Sequence, residues 1–421
     1  MKQATSTRTE SDRRMDIQAS PPLASRFPLS NESKKRRWIW GTQVPPVRYP
    51  LASGNVIRAV LRMTDPPPKG LYLSSGEEAL EIALRGTREH LGKGRGTEVI
   101  VPDFVCPSVV RAVRAAGLVP RVCELDPRRW FYNPEALEKT VGKETCAVVV
   151  VAFFGNLPVL DPPSRARALS ILGSVPVVED YAQAFGLEQP TKSWPGSVFR
   201  VYSFGRGKSL PLGWGGLLEG FDEAAESWLN RLRAQYGKYR LLENLVNLAM
   251  SQAQSLVLHP LLWRFVPISY EMMETTDFRQ GRGGLGWPVT NYIAASRQSL
   301  REEISARHRN IGRFVERLQS LPGIEMAFGG KQNPTEGVAV RFPVLFENPE
   351  IAEAVKRAIA KEGVIRGPNE FFDHVSSTEN SASICRRLLT LPTFSGSERA
   401  LERAANLIRK FLSPSNGAIT L

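Results

Sequence analysis

Residues 146–152 read Cys-Ala-Val-Val-Val-Val-Ala, a continuous apolar run dominated by β-branched side chains with no polar residue to turn toward water. A run of this kind suits a strand covered on both faces, as in the middle of a parallel sheet with helices above and below. Three more stretches repeat the pattern: Glu98-Val-Ile-Val-Pro, Val175-Pro-Val-Val-Glu and Val198 to Phe204; Leu118 to Leu125 is a fourth, less pure one. Between them lie helix-like segments: Glu77 to Leu91, with Ala79, Leu80, Ala83 and Leu84 in phase, Pro107 to Ala116, and Asn133 to Val141. Strands and helices alternating in this way predict an α/β fold, a mostly parallel sheet with right-handed crossovers and helices on both faces.

At 421 residues the chain is long enough for two domains. Residues 1–50 are rich in Ser, Thr, Pro and Arg and read as a basic arm, with Trp38-Ile-Trp40 as its one apolar anchor. Residues 51–290 carry the alternating pattern and form the large domain. Residues 222–280 within it read as a helical insertion, with Leu241, Leu242, Leu245, Val246 and Leu248 followed by Leu256 to Phe265. Asn247, Gln252, Gln254 and His259 interrupt the insertion and Pro260 breaks it, which argues against a membrane span and for an amphipathic helix pair on the body or on a partner subunit. Residues 291–421 form a smaller α+β domain. One long helix from Tyr292 to Leu318 opens it; then come a strand Val338–Leu345, a helix Ile351–Glu362, a strand Arg387–Pro392 and a closing helix Ser397–Phe411.

The formal net charge of +13 suggests nucleic acid until it is located: residues 1–70 hold 13 Lys and Arg against 5 Asp and Glu, leaving only +5 for the other 351. A solvated arm accounts for the surplus, and no nucleic-acid partner is expected. Peripheral membrane contact through 1–50 or 222–280 is the other use such a composition allows. Four cysteines, Cys106, Cys123, Cys146 and Cys385, lack metal-type spacing, and the four histidines are dispersed, so no metal site is expected. The polar first 20 residues lack the apolar segment of a signal peptide, and a cytoplasmic location is the default.

Chemistry concentrates between Val175 and Gly220. The run Val175–Glu179 delivers Asp180 at a strand's carboxyl end, where open α/β sheets bind ligands. Val198–Phe204 leads into a glycine-punctuated loop carrying Lys208 and then Gly213-Trp-Gly-Gly. A desolvated lysine can attack a carbonyl, and a carboxylate at a strand end can hold a pyridinium nitrogen protonated, the pairing that pyridoxal chemistry requires. Taken singly, Asp180 reads as a turn residue and Lys208 as a solvated loop charge. Upstream, Gly70-Leu-Tyr-Leu-Ser-Ser-Gly76 reads as strand then turn before a helix whose free N–H groups suit a phosphate.

Together, Glu179-Asp180-Tyr181-Ala182-Gln183, Ser203-Phe204 five residues before Lys208, and Gly215-Gly216 resemble the DegT/DnrJ/EryC1/StrS family of sugar aminotransferases, with its E-D-x-A-Q, S-F-x-x-x-K and Gly-Gly elements. Ser75-Gly76-Glu77-Glu78-Ala79-Leu80 resembles the family's S-G-T-x-A-L, with Glu77 in place of threonine, so that only its backbone N–H carries over. Glu98-Val-Ile-Val-Pro resembles the segment that leads to a ring-stacking aromatic; Cys106 occupies that position, with Phe104 as a neighbour able to share the role. Phe153 stands where histidine is frequent, on the substrate side.

The resemblance implies a fold-type-I enzyme with pyridoxal 5'-phosphate (PLP), residues 51–290 being the coenzyme-binding domain, and a homodimer with sites between subunits. It implies that Lys208 carries the coenzyme and moves the substrate proton, that Asp180 pairs with the pyridine nitrogen, and that Gln183 bonds the phenolic oxygen. It further implies that Ala182 packs on the ring and that Ser203, Ser75 and the amides of Gly76 and Glu77 hold the phosphate. Arg206, two residues before Lys208, is placed to add charge there, and Asn291 is the nearest counterpart of the family's donor-site N-x-R segment. The implied reaction moves an amino group from an amino acid, usually glutamate, to a nucleotide-linked keto sugar in polysaccharide or glycoconjugate biosynthesis. Two alternatives stay open. One is a PLP-dependent sugar dehydratase, in which histidine replaces the lysine; the other is a non-catalytic member acting in binding or assembly, which the changes at Glu77, Cys106 and Phe153 keep in play.

Overall fold

The computed structural model describes residues 53–61, 64–91, 96–158, 160–187, 193–205, 207–236, 241–257, 283–326, 337–361, 373–374 and 378–413. The arm 1–50, residues 237–240 and 258–280 of the helical insertion and Arg206 lie outside the described residues.

Seven strands form the central sheet: β1 (Leu71–Leu73), β2 (Glu98–Pro102), β3 (Val119–Cys123), β4 (Thr145–Val151), β5 (Val177–Asp180), β6 (Ser197–Ser203) and β7 (Gly216–Gly220). Their spatial order is β1-β7-β6-β5-β4-β2-β3. The five strands from β6 to β3 run parallel, and β7 lies antiparallel to both β6 and β1. Both faces are apolar, as the valine-rich runs require. Val99, Val101, Val149 and Val151 join one core layer, while Ile100, Val148 and Val150 join the layer on the other face, the alternation of a pleated strand.

The covering helices in this part of the chain are α1 (Ser53–Val60), α2 (Gly76–Gly86), α3 (Pro107–Ala115), α4 (Pro134–Thr140), α5 (Pro162–Leu172), α6 (Glu223–Tyr236), α7 (Leu241–Val257), α8 (Trp287–Ala295) and α9 (Arg297–Leu318). The α-helix predicted over Glu77–Leu91 ends at Gly86 and passes into a π-helical turn, Thr87–Leu91. Sequence periodicity does not reveal α5, because it buries only Ala168 and Leu172. The single helix predicted over Tyr292–Leu318 is two, α8 and α9, separated by Ser296 with φ −81° and ψ −6°. One residue of interruption leaves the apolar phase nearly intact, which is why the pattern reads as continuous.

A three-stranded antiparallel sheet, β8 (Ile324–Met326), β9 (Arg341–Phe346) and β10 (Leu388–Pro392), packs with α10 (Pro349–Lys361), α11 (Glu379–Arg387) and α12 (Glu398–Leu412). The α9 helix serves both bodies. Leu300 near its start joins the core beside the large sheet, whereas Ile311 and Phe314 join Val344, Ile359, Leu391 and Ile408 in the second core.

The α7 helix packs inward through Asn244, Leu248 and Ser251, two polar residues about one leucine. Asn244 accepts the Gly286 N–H at 3.1 Å and Gln252 donates to the Tyr292 hydroxyl at 3.2 Å, while Leu242 and Val246 stay 75% and 51% exposed. Among the described residues no helix is long and apolar enough to cross a membrane.

Register in the middle of the sheet is marked by a buried charge pair. Glu179 of β5 lies opposite Arg200 of β6, both Nε and Nη2 of the arginine reach Glu179 Oε2 at 2.7 Å, and neither side chain is more than 1% exposed. Glu179 Oε1 accepts the Ser193 N–H at 2.7 Å and the Ser197 hydroxyl, and the guanidinium lies over the rings of Tyr181 and Phe221 at 4.5 and 4.8 Å. Every lone pair and face is used, the condition under which a buried pair is tolerated. Removing one partner strands the other charge. We expect Arg200→Met to lower the unfolding free energy by about 3–5 kcal/mol, and the double change with Glu179→Gln to cost less than Arg200→Met alone, both read from urea denaturation.

Candidate active site

Parallel pairing of β5 and β6 ends both strands on one edge of the sheet, with Asp180 closing the first and Ser203 the second. The Asp180 side chain is buried, and its Oδ1 accepts the Ala182 N–H at 3.0 Å. Burial pushes this carboxyl above the usual carboxylate range, and the Ala182 amide and the charge of Lys208 pull it part of the way back.

Lys208 rides a loop pinched at its base. The Phe204 carbonyl accepts the N–H groups of both Leu212 and Gly213, at 2.7 and 3.0 Å, and the Lys208 N–H reaches the Gly205 carbonyl at 3.4 Å. Gly207 and Gly213 have φ of 70° and 93°, in the left-handed region that glycine alone adopts freely. Leu210 and Leu212 are buried and anchor the loop to the core.

A second strand-turn-helix is pressed against the end of β6. Ser75 bridges to Gly215, and the Gly215 N–H donates to the Ser74 carbonyl at 2.8 Å. A Cβ on Gly76 would lie 2.6 Å from the Cβ of Ser203, and one on Gly216 would lie 2.4 Å from the Ser75 carbonyl oxygen. Ser75, Gly76, Ser203 and Gly216 are therefore brought together at the start of α2. Ser75 caps that helix, its hydroxyl accepting the Glu78 N–H at 3.1 Å, and among the described residues the Glu77 N–H has no acceptor. The Glu77 carboxylate is held by Arg111 of α3 in a two-bond fork, 2.9 Å from Nε and 2.7 Å from Nη2. A carboxylate beside an anion seat would repel the anion; the fork supplies the compensating charge. Arg111 is invisible to motif reading because the pair spans 34 residues of sequence.

Gln183 is 4% exposed and its Oε1 has no partner among the described residues. A turn presses on it: a Cβ on Gly155 would stand 2.7 Å from the Gln183 carbonyl oxygen. That turn is strapped to the second body by the Val338 N–H on the Gly155 carbonyl and the Val340 N–H on the Phe154 carbonyl, each at 2.8 Å. Phe153 is 1% exposed and packs in an aromatic cluster with Trp130 and Phe104, at centroid distances of 5.4 and 6.5 Å. Phe104 and Phe153 are thus core residues. Cys106 lies half-buried before the first turn of α3, where the Ser108 hydroxyl donates to its sulfur at 3.0 Å. Asn291 is engaged elsewhere, its amide donating to the Ala59 carbonyl at 3.2 Å.

PLP asks for an anion seat, a carboxylate for its ring nitrogen and a polar group for its phenolic oxygen. The hydroxyls of Ser75 and Ser203 beside the Glu77 amide, the buried Asp180 and the Nε2 donor of the buried Gln183 fit that requirement. Residues 68–264 match the model of the DegT/DnrJ/EryC1/StrS aminotransferase family. Over this segment, a little under half of its length, the chain is similar to that family. The UDP-2-acetamido-2-deoxy-3-oxo-D-glucuronate aminotransferase of Pseudomonas aeruginosa is 26% identical over 289 residues, 66% of this chain and 74% of that one. The L-glutamine:2-deoxy-scyllo-inosose aminotransferase of Micromonospora echinospora is 30% identical over 167 residues, 39% of this chain; the match spans only 38% of that protein's length. Helicobacter pylori PseC, an aminotransferase involved in the biosynthesis of pseudoaminic acid, superimposes with a TM-score of 0.64 at 13% identity, covering 88% of this chain and 99% of that one. That likeness shows the fold, fold type I, and the family match over 68–264 implies PLP as the coenzyme.

The Gly76 contact yields a direct test. Gly76→Ala places a methyl group against Ser203, so either strand or helix must shift, a change that costs about 1–3 kcal/mol in a packed interior. We expect a lower melting temperature together with weaker PLP retention by absorbance titration.

Proposed function

We propose that this chain transfers the amino group of an amino acid, with glutamate the first donor to test, to the ketone of a nucleotide-linked keto sugar in polysaccharide or glycoconjugate biosynthesis. The observation that carries this reading is Asp180, buried at the end of β5, next to the parallel strand β6 whose following loop carries Lys208. The name of the Pseudomonas relative denotes a UDP-linked ring ketone and that of the Micromonospora relative a ketone without a nucleotide. The longer match is to the nucleotide-linked case, which favours that substrate class.

When bound, the coenzyme supplies an electron sink for charge developing at the substrate carbon. The neutral amine of Lys208 would be the attachment point for that coenzyme and, once the donor takes its place, would accept and return the proton on the amino-bearing carbon. Asp180, as the carboxylate, would keep the ring nitrogen protonated. Gln183 would donate from its Nε2 to the phenolic oxygen, and Ala182 would pack on the ring. Ser75, Ser203 and the amides of Gly76 and Glu77 would hold the phosphate at the start of α2, where the helix dipole assists. Cys106 would fill the ring-stacking position with a smaller, polarisable atom. Lysine rather than histidine at position 208 favours transamination over dehydration.

We further infer a cytoplasmic homodimer in which the outward apolar face of α7 is covered by a second copy. Contact of that face or of the basic arm with an anionic bilayer is the competing use.

Purified protein is expected to be yellow, with a visible band that borohydride fixes on Lys208 and that Lys208→Ala loses. Glutamate should move the band to the near-ultraviolet, and a UDP-linked 3-oxo sugar should restore it faster than 2-deoxy-scyllo-inosose. Protein that takes up no PLP would overturn the reading. For the assembly, sedimentation equilibrium should give two chains, and Leu242→Glu with Val246→Glu should shift it toward one; flotation with anionic liposomes at low salt would favour the membrane instead.

A further inference from the structure

Arg307 lies on α9, beyond any motif in the chain. Its side chain is 3% exposed, far below what an arginine on a long connecting helix ordinarily shows. Its Nε donates to Glu303 Oε1 at 3.2 Å and its Nη2 to the backbone carbonyl of Ser209 at 3.4 Å, while Nη1 is buried with no partner among the described residues. Ser209 directly follows Lys208, and its own hydroxyl is also buried without a partner among the described residues. Glu303 in turn accepts the Ser395 N–H at 3.1 Å, from the segment just after β10 in the second body. One turn farther along α9, Asn310 donates to the carbonyls of Thr393 and Phe394 at 3.0 and 3.2 Å, fixing the same segment again.

A guanidinium sunk this deeply with one arm unused is a poor stabilising device, since an apolar side chain of similar size usually serves a core as well or better. Its geometry is specific in another respect. The base of the Lys208 loop is closed by its own backbone, and among the described residues the polar bond that reaches the tip from elsewhere in the chain is the one from Arg307. Leu210 and Leu212 hold the loop by burial, which fixes depth but not the rotation of the backbone about its long axis.

We propose that Arg307, oriented by Glu303, is a positioning residue that ties the Lys208 loop to the second body and so sets the direction in which Lys208 projects. The relay runs from the Ser395 amide through Glu303 and Arg307 to the Ser209 carbonyl. The relevance to catalysis rests on the proposed role of Lys208; the mechanical tie itself does not.

Amide hydrogen exchange on the full chain separates the two. In Arg307→Met and Arg307→Lys, exchange at residues 207–213 should rise about tenfold over the parent in the absence of PLP, the scale of losing one charge-assisted bond, with melting temperature held or raised for Met. Arg317→Met, which breaks only the exposed pair with Glu402, should leave that segment unchanged. With PLP added, both Arg307 variants should still take up the coenzyme but should move the pH midpoint of the visible band, and the lysine variant should recover part of the shift. Unchanged exchange at 207–213 in both variants, or an equal rise throughout the chain, overturns the proposal. If Arg307→Met does not fold, Arg307→Lys alone decides by the same criterion. A parent protein that binds no PLP while the loop still loosens would sink the coenzyme role of Lys208 and leave the tie standing.

Discussion

The register between β5 and β6 governs the rest of the molecule. Side chains alternate along a strand, so Glu179 and Asp180 point to opposite faces, and a slip of one residue would exchange them. Glu179 meets Arg200 on its own face, with every acceptor position occupied. One ion pair with no part in the chemistry thus determines which carboxylate faces the coenzyme side.

Much of this was legible in the chain because its causes are local. The Val-rich runs must be central strands, and the period-2 split of β4 between two cores follows from the run itself. Asp180 and Ser203 could be placed at strand ends, and Lys208 in the loop after the second, because the strands are short and sharply bounded. Ser75 and Gly76 could be placed at the start of a helix for the same reason. The α5 helix escaped because a helix with two buried residues has almost no apolar period to show.

What escaped in the site depends on pairs distant in sequence. Arg111 on Glu77, the strap of Val338 and Val340 on the turn at Phe154 and Gly155, and Arg307 on Ser209 each join residues that no short motif spans. On a helix such as α9, with its many charges, a buried arginine looks the same as a solvated one until the second body is docked. Phe153 shows the converse error of motif reading: set against a family pattern it suggested substrate chemistry, and in the fold it is 1% exposed, among Trp130 and Phe104.

The fork between Glu77 and Arg111 makes two distant positions a single unit of substitution. Threonine at 77 alone would restore the family's hydroxyl but release an arginine beside the anion seat; neutralising 111 alone would turn an unshielded carboxylate on the same seat. Each step taken singly alters the charge there by a full unit, and only the pair of steps returns it to neutrality. Drift at this corner of the fold is therefore coupled, and a chain that carries glutamate at the phosphate turn is expected to carry a cation one helix away.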